Sequence, residues 1–257
     1  MLRWKEERQG ETALLIEGAR RIGKSTIVEE FAKNEYSSYI LVDFSKTATE
    51  INDLFNDLSD LNYIFLRLQL NYNVSLKERK SLIIFDEVQN NPKARQAIKH
   101  LVKDHRYDYI ETGSLISIRK NVQNIIIPSE ETRITMHPMD FEEFRWAMGD
   151  NVSFTLLKTV LEQKQPLGEA IHRKLMRDFR LYMLVGGMPQ AVDKYIKTND
   201  LSAVDTVKRD IIALYEEDLR KIDTSGKATA MFDAIPSQLS KNASRYTIST
   251  VIPGEKQ

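Results

Sequence analysis

The chain has 257 residues, 42% of them hydrophobic, enough to build one large domain or two smaller ones. Lysine plus arginine equals aspartate plus glutamate, 37 each, so bulk charge implies neither a strongly acidic nor a strongly basic partner. There is no cysteine, which excludes disulfides, a zinc–thiolate site and a cysteine nucleophile, and no run of about 18 apolar residues, which argues against a membrane span.

The N-terminal stretch MLRWKEERQGE is charged and carries no apolar segment of signal-peptide length, so the expectation is a cytoplasmic chain. Residues 12–17, TALLIE, read as a short buried strand. Residues 24–34 read as a helix, with Ile27, Val28, Phe31 and Ala32 at helical spacing. A second strand is expected over 38–44, a helix over 50–71 with a break near Asn62, a third strand over 81–86 and a helix over 92–104. Residues 108–113 form a fourth expected strand, and a fifth falls within 131–137. Strands alternating with helices predict an α/β fold: a parallel sheet with helices on both faces.

From Phe141 the pattern is helical, over 140–149, 153–164, 168–185, 188–198 and 200–221. Gly186-Gly187-Met188-Pro189 reads first as a sharp corner between two of these helices. The expected organisation is an α/β domain over 1–150, a helical lid or linker over 151–234, and the start of a further domain, broken off, over 235–257.

The motif that carries chemistry is Gly18-Ala19-Arg20-Arg21-Ile22-Gly23-Lys24-Ser25, followed by Thr26. It matches G-x-x-x-x-G-K-[ST], the P-loop pattern. Gly18 and Gly23 permit backbone torsions that point several N–H groups at phosphate oxygens. Lys24 supplies a mobile charge to the β- and γ-phosphates, the Ser25 hydroxyl can ligate Mg²⁺, and the helix opening near Lys24 adds its positive end. The alternative is an ordinary strand-to-helix turn with a chance lysine. The strand before the motif and the helix after it weigh against that.

A P-loop NTPase also needs an apolar strand ending in Asp. Two stretches qualify, 39–43 (YILVD) and 81–87 (SLIIFDE). Only the second ends in two carboxylates, so Asp86 is the expected magnesium residue and Glu87 the expected acceptor of a proton from water. Asp43 reads instead as a strand-end turn residue. The fourth strand runs into Thr112-Gly113-Ser114, where a hydroxyl could touch the γ-phosphate or orient the lytic water; a plain turn is an equal alternative. Arg119, Arg133 and Arg145 are candidates for an additional cation at the γ-phosphate, and the sequence does not choose among them. Trp4 is read either as packing or as a face for adenine.

The order of these motifs resembles a prokaryotic AAA+-type ATPase family with a P-loop core and a C-terminal domain of unknown function. The matching pieces are LRWK at 2–5, GARRIGKST, IIFDEVQNNPKARQAIKHL at 83–101, YIETGSLISI at 109–118, MHPMDFEEF at 136–144, LVGGMPQAV at 184–192 and LYEEDLRKI at 214–222. The resemblance assigns Gly18 to Thr26 to nucleotide binding, Asp86 and Glu87 to magnesium and catalytic-base roles, and Thr112 to Ser114 to sensing. Relatives often carry a Gly-Arg pair where this chain has Thr132-Arg133. They continue into a winged-helix-like part and a nuclease-like fold, so the resemblance implies a truncated chain.

Three functions follow. The first is a Mg²⁺-dependent ATP hydrolase coupling its nucleotide state to an attached domain or partner. The second is a nucleotide-gated switch with little turnover. The third is a P-loop small-molecule kinase, disfavoured because Glu87 beside Asp86 suits an activated water. Expected ligands are ATP, ADP and Mg²⁺. Expected partners are a macromolecule engaged through the further C-terminal part and a second copy of the chain. Nucleic acid stays open as a partner, and a membrane is not expected.

Overall fold

Five parallel strands form one sheet: β1 (Ala13–Gly18), β2 (Ser38–Asp43), β3 (Ser81–Asp86), β4 (Asp108–Ser114) and β5 (Glu131–Met136), in the order β2-β3-β4-β1-β5. This is a computed structural model, and it describes residues 1–8, 10–114, 130–240 and 245–252. The chain divides into two compact units, Met1–Asp140 and Phe141–Gln257. The expected boundary lay near residue 150; the division falls before Phe141 because Phe141 packs edge-on against Phe154 and Phe179 of the second unit.

In the first unit the period-2 alternation of each strand sends side chains to opposite faces. On one face Leu14, Ile16, Leu82, Ile84 and Ile110 pack with Val28, Phe31 and Ala32 of helix α2 (Lys24–Glu35) and with Trp4 of helix α1 (Leu2–Arg8). On the other, Ala13, Ile40, Val42, Ile83, Phe85 and Tyr109 pack against helices α4 (Leu61–Tyr72) and α5 (Pro92–Asp104). Both faces of the inner strands are therefore dry, which is why β3 and β4 are buried along their whole length.

Three local readings differ from expectation. Ile27 is exposed while its neighbour Val28 is buried, since the stripe of α2 that packs in the core runs through Val28, Phe31 and Ala32 and leaves Ile27 outside it. The break in 50–71 comes earlier than Asn62. Helix α3 (Thr49–Asp53) passes into a 3₁₀ turn, Leu54–Asn56, and α4 starts afresh where Asp60 accepts a hydrogen bond from the Tyr63 N–H. A cap of this kind contributes about 1 kcal/mol. Helix α1 had no sequence signal. It is held by tertiary bonds: Trp4 Nε1 donates to the Thr12 carbonyl, and Lys5 Nζ donates to Glu35 and lies 4.4 Å over the Tyr36 ring.

β4 and β5 carry a buried charge cluster. Arg95, from α5, lies 2.9 Å from Glu131 and 3.9 Å from Glu111, and Arg133 reaches Glu131 at 2.6 Å. Burial pushes the Glu111 carboxyl well above its ordinary range, opposed by Arg95 and reinforced by Glu131.

The second unit consists, among the described residues, of helices and 3₁₀ turns: α6 (Phe141–Ala147), α7 (Ser153–Glu162), α8 (Glu169–Val185), α9 (Pro189–Thr198), α10 (Leu201–Ile222), α11 (Lys227–Asp233) and α12 (Ile235–Leu239), with a 3₁₀ turn at Ile248–Thr250. The Gly186 corner ends α8 at φ 83, and Pro189 opens α9, so the glycine–proline punctuation does separate two helices. Gln238 ties the last described segment back, bonding Thr250 and the Thr247 N–H.

Candidate active site

All five strands run the same way, so Gly18, Asp43, Asp86, Ser114 and Met136 line one edge of the sheet. Thr112, Gly113 and Ser114, expected as a turn, are the last residues of β4 and pair in register with β1; because β4 lies between β1 and β3, they fall between the P-loop and the Asp86-Glu87 pair. A crevice at the carboxyl ends of such strands is where ligands are expected in open α/β sheets.

The loop from Gly18 to Lys24 is shaped by close approach and by unusual torsions. A Cβ on Gly18 would stand 2.3 Å from the Met136 carbonyl oxygen and 2.7 Å from Ile22 Cδ1, so only glycine fits. Ile22 is buried and anchors the underside of the loop. Arg21 and Gly23 both have positive φ, 63 and 91, and Gly23 sits where the loop becomes helix α2. The first N–H groups of α2 have no intrahelical acceptors by construction, which leaves an anion-binding end beside Lys24 and Ser25.

Lys24 is buried, and its Nζ donates to the Gly18 and Ala19 carbonyls at 3.3 and 2.7 Å. Burial pulls its ammonium below the ordinary value; the Glu87 and Asp86 carboxylates oppose this, and Arg20 adds to it. Ser25 Oγ donates to Asp86 Oδ1 at 2.8 Å, and Thr112 Oγ1 donates to the same oxygen. The Glu87 N–H donates to Thr112 Oγ1 at 3.4 Å. One carboxylate oxygen thus collects hydroxyls from the P-loop helix and from β4. Ser114 is paired in register with Gly18 and is buried at the same edge.

Glu87 follows β3 in a left-handed conformation, φ 53 and ψ 44, which costs a non-glycine residue on the order of 1 kcal/mol or more. A 3₁₀ turn, Val88–Asn90, comes next. Inside it Gln89 is buried and its side-chain amide donates to Glu87 Oε2. Gln89 lies in the 83–101 piece that carries the resemblance, but no role is read for it there, since a polar amide before Asn90, Asn91 and Pro92 fits a plain turn.

Asp43 stands at the same carboxyl edge, in register with Asp86, but its Oδ1 accepts from the Ser45 N–H and hydroxyl, a turn role. Trp4 is in the apolar cluster. Arg133 is bonded to Glu131, and Arg145 belongs to the second unit, where Asp150 and Asp178 hold it. Arg119 lies outside the described residues.

The donor set suits a nucleotide with Mg²⁺. Among the described residues no group of three or more His, Cys, Asp or Glu is placed to hold a metal by itself. Mg²⁺ does not require one, because it takes one or two protein ligands and fills its octahedron with phosphate and water. Ser25 and Asp86 are the residues that would hold it. Among the described residues no helix is long and apolar enough to cross a membrane.

A family model described as "AAA domain" matches residues 10–145, just over half of the chain, and one described as a domain of unknown function matches residues 176–253. No curated protein matches. Among solved structures the chain is similar to PCH-2 of C. elegans, at 11% identity and a TM-score of 0.41, over 79% of this chain and 62% of that one. It is also similar to the ORC1 protein of Aeropyrum pernix, solved in complex with DNA, at 12% identity and a TM-score of 0.42, over 97% and 79%. The Hef helicase domain of Pyrococcus furiosus follows at 14% identity and a TM-score of 0.26, over 88% and 63%. The chain thus spans less than two thirds of the PCH-2 chain.

Proposed function

The chain belongs to the AAA domain family, and on that premise we propose that it is a Mg²⁺-dependent ATP hydrolase whose nucleotide state is passed to an attached domain or partner. The observation that carries the reading is the convergence of Ser25 Oγ and Thr112 Oγ1 on one oxygen of Asp86, with Glu87 as the next residue. Nucleotide binding uses the loop from Gly18 to Thr26, with Lys24 leaving the Gly18 and Ala19 carbonyls for phosphate oxygens that are better acceptors. Bound Mg²⁺ would neutralise charge on the phosphates and polarise the γ-phosphoryl group. Glu87 takes a proton as water attacks the γ-phosphorus; the bond to the bridging oxygen breaks, and ADP leaves with that electron pair. Thr112 spans the two carboxylate residues, through its hydroxyl to Asp86 and through the Glu87 N–H, so displacement of Asp86 by nucleotide would be felt at Glu87.

Two substitutions test this. Lys24→Ala should weaken nucleotide affinity about 10- to 100-fold, the worth of one charge-assisted contact. Glu87→Gln should leave affinity intact and abolish phosphate release. Unchanged affinity in the first variant, or full turnover in the second, would overturn the assignment.

A second reading, a nucleotide-gated switch with slow turnover, gains from the engagement of Arg133 and Arg145 by carboxylates. Tight ATP binding by the wild type without phosphate release would select it.

A further inference from the structure

We propose that Gln89 is a positioning residue for hydrolysis: its side-chain amide holds the Glu87 carboxylate in the orientation from which it accepts the proton of the attacking water. The inference rests on the hydrolase reading and adds a residue to it.

The backbone creates the contact. Glu87 takes the left-handed torsions that end β3, and the following 3₁₀ turn is closed by the Asn90 N–H on the Glu87 carbonyl at 3.0 Å and the Asn91 N–H on the Val88 carbonyl at 3.1 Å. This turn folds residue 89 back over residue 87. Val88 is fully buried in the core cluster and Asn91 caps helix α5, so the turn is fastened at both ends. Gln89 is only 8% exposed, and the rotamer freedom of a long side chain has already been surrendered on folding.

The chemistry fixes the sense of the bond. A carboxylate oxygen only accepts, so the amide must present its NH₂ to Glu87 Oε2. With Oε2 held, Oε1 is the oxygen left to face a water. A glutamate has three side-chain torsions, and a general base acts only within hydrogen-bond reach of its proton, so an unrestrained Glu87 would spend much of its time misdirected. Thr112 and the strained backbone locate the Cα of Glu87; among the described contacts Gln89 is the one that locates its carboxylate.

Gln89→Met tests this, because methionine matches the length of glutamine and removes the donor. Steady-state phosphate release and binding of a fluorescent ATP analogue are measured on wild type, Glu87→Gln, Gln89→Met, Gln89→Asn and the Glu87→Gln/Gln89→Met double variant. We expect Gln89→Met to lower kcat roughly 10- to 100-fold, within the span of general-base effects, with KM and analogue affinity changed less than about twofold. Gln89→Asn, which keeps a donor on a shorter arm, should recover part of the loss. The double variant should release phosphate no more slowly than Glu87→Gln alone. Turnover in Gln89→Met equal to or above wild type overturns the inference, as does a fall in analogue affinity that accounts for the loss. A wild type with no Glu87-dependent turnover brings down the hydrolase reading and this inference together. Glu87-dependent turnover that Gln89→Met leaves intact brings down only the inference.

Discussion

The two units bury their apolar residues to very different extents. In the first, each face of the sheet is sealed by helices, and Phe44, Phe55 and Phe85 meet edge-to-face with centroids 5.2–5.9 Å apart. In the second, helix α7 buries none of its residues, and the 17-residue α8 buries only Val185. Its described contacts include an aromatic knot of Phe141, Phe144, Phe154, Phe179 and Tyr182, the Arg145 ion cluster, and the few buried residues Ala191, Val192, Val204 and Ile211 of α9 and α10. A parallel sheet forces distant segments into register and covers both of its faces. A helix satisfies its own backbone and needs a partner only along one stripe. The candidate site sits on the first kind of frame, where Ser25, Asp86 and Thr112 come from three distant segments and meet within a hydrogen-bond length.

The contrast can be broken most forcefully at Phe85. Phe85→Ala should cost the first unit about 3–5 kcal/mol. Trp4 and Trp146 fall one in each unit, so urea unfolding of the two single-tryptophan variants reads the units separately. A loss seen equally by both reporters would deny the units separate stabilities.

Arg145→Ala comes next. Its guanidinium is buried and holds Asp150 and Asp178, which are themselves partly exposed, so we expect about 2–3 kcal/mol to be lost from the second unit. ATP turnover at temperatures well below unfolding should survive. If turnover collapses while the Trp146 transition stays in place, Arg145 serves catalysis and its structural assignment fails.

Glu111 sharpens the comparison through pH. The pKa of its carboxyl is raised in the folded state above the ordinary value of about 4.5, so the native chain binds the proton more tightly. Its stabilising contribution is present below about pH 4.5 and is lost as pH rises toward the raised value. Glu111→Gln removes that dependence. Its first-unit midpoint should gain on wild type as pH rises above about 4.5. A gap that does not widen with pH would contradict this. The smallest effect belongs to Leu161→Ala on α7. Leu161 is 77% exposed, and its loss should move the second-unit transition by less than about 0.5 kcal/mol.

What could be read from the residues was whatever depends on near neighbours in the chain. The strand and helix alternation from Ala13 to Met136 was legible because apolar periodicity is local, and the P-loop because its glycines, lysine and serine are contiguous. Asp86 and Glu87 were legible as a carboxylate pair ending an apolar strand. Helix α1 was not, since a seven-residue charged segment has little helical preference of its own and is held by Thr12, Glu35 and Tyr36.

The strand order, with β4 inserted between β1 and β3, was decided only in three dimensions, because hydrophobic patterning marks a strand without naming its neighbours. The meeting of Ser25 and Thr112 on Asp86 follows from that order, the capture of Arg145 by Asp178 is a tertiary contact within the second unit, and the amide of Gln89 reaches Glu87 through a local backbone turn that apolar patterning does not mark. Hydrogen bonds and ion pairs act over a few ångströms, and residues 26 to 61 positions apart come within that range only when the fold closes.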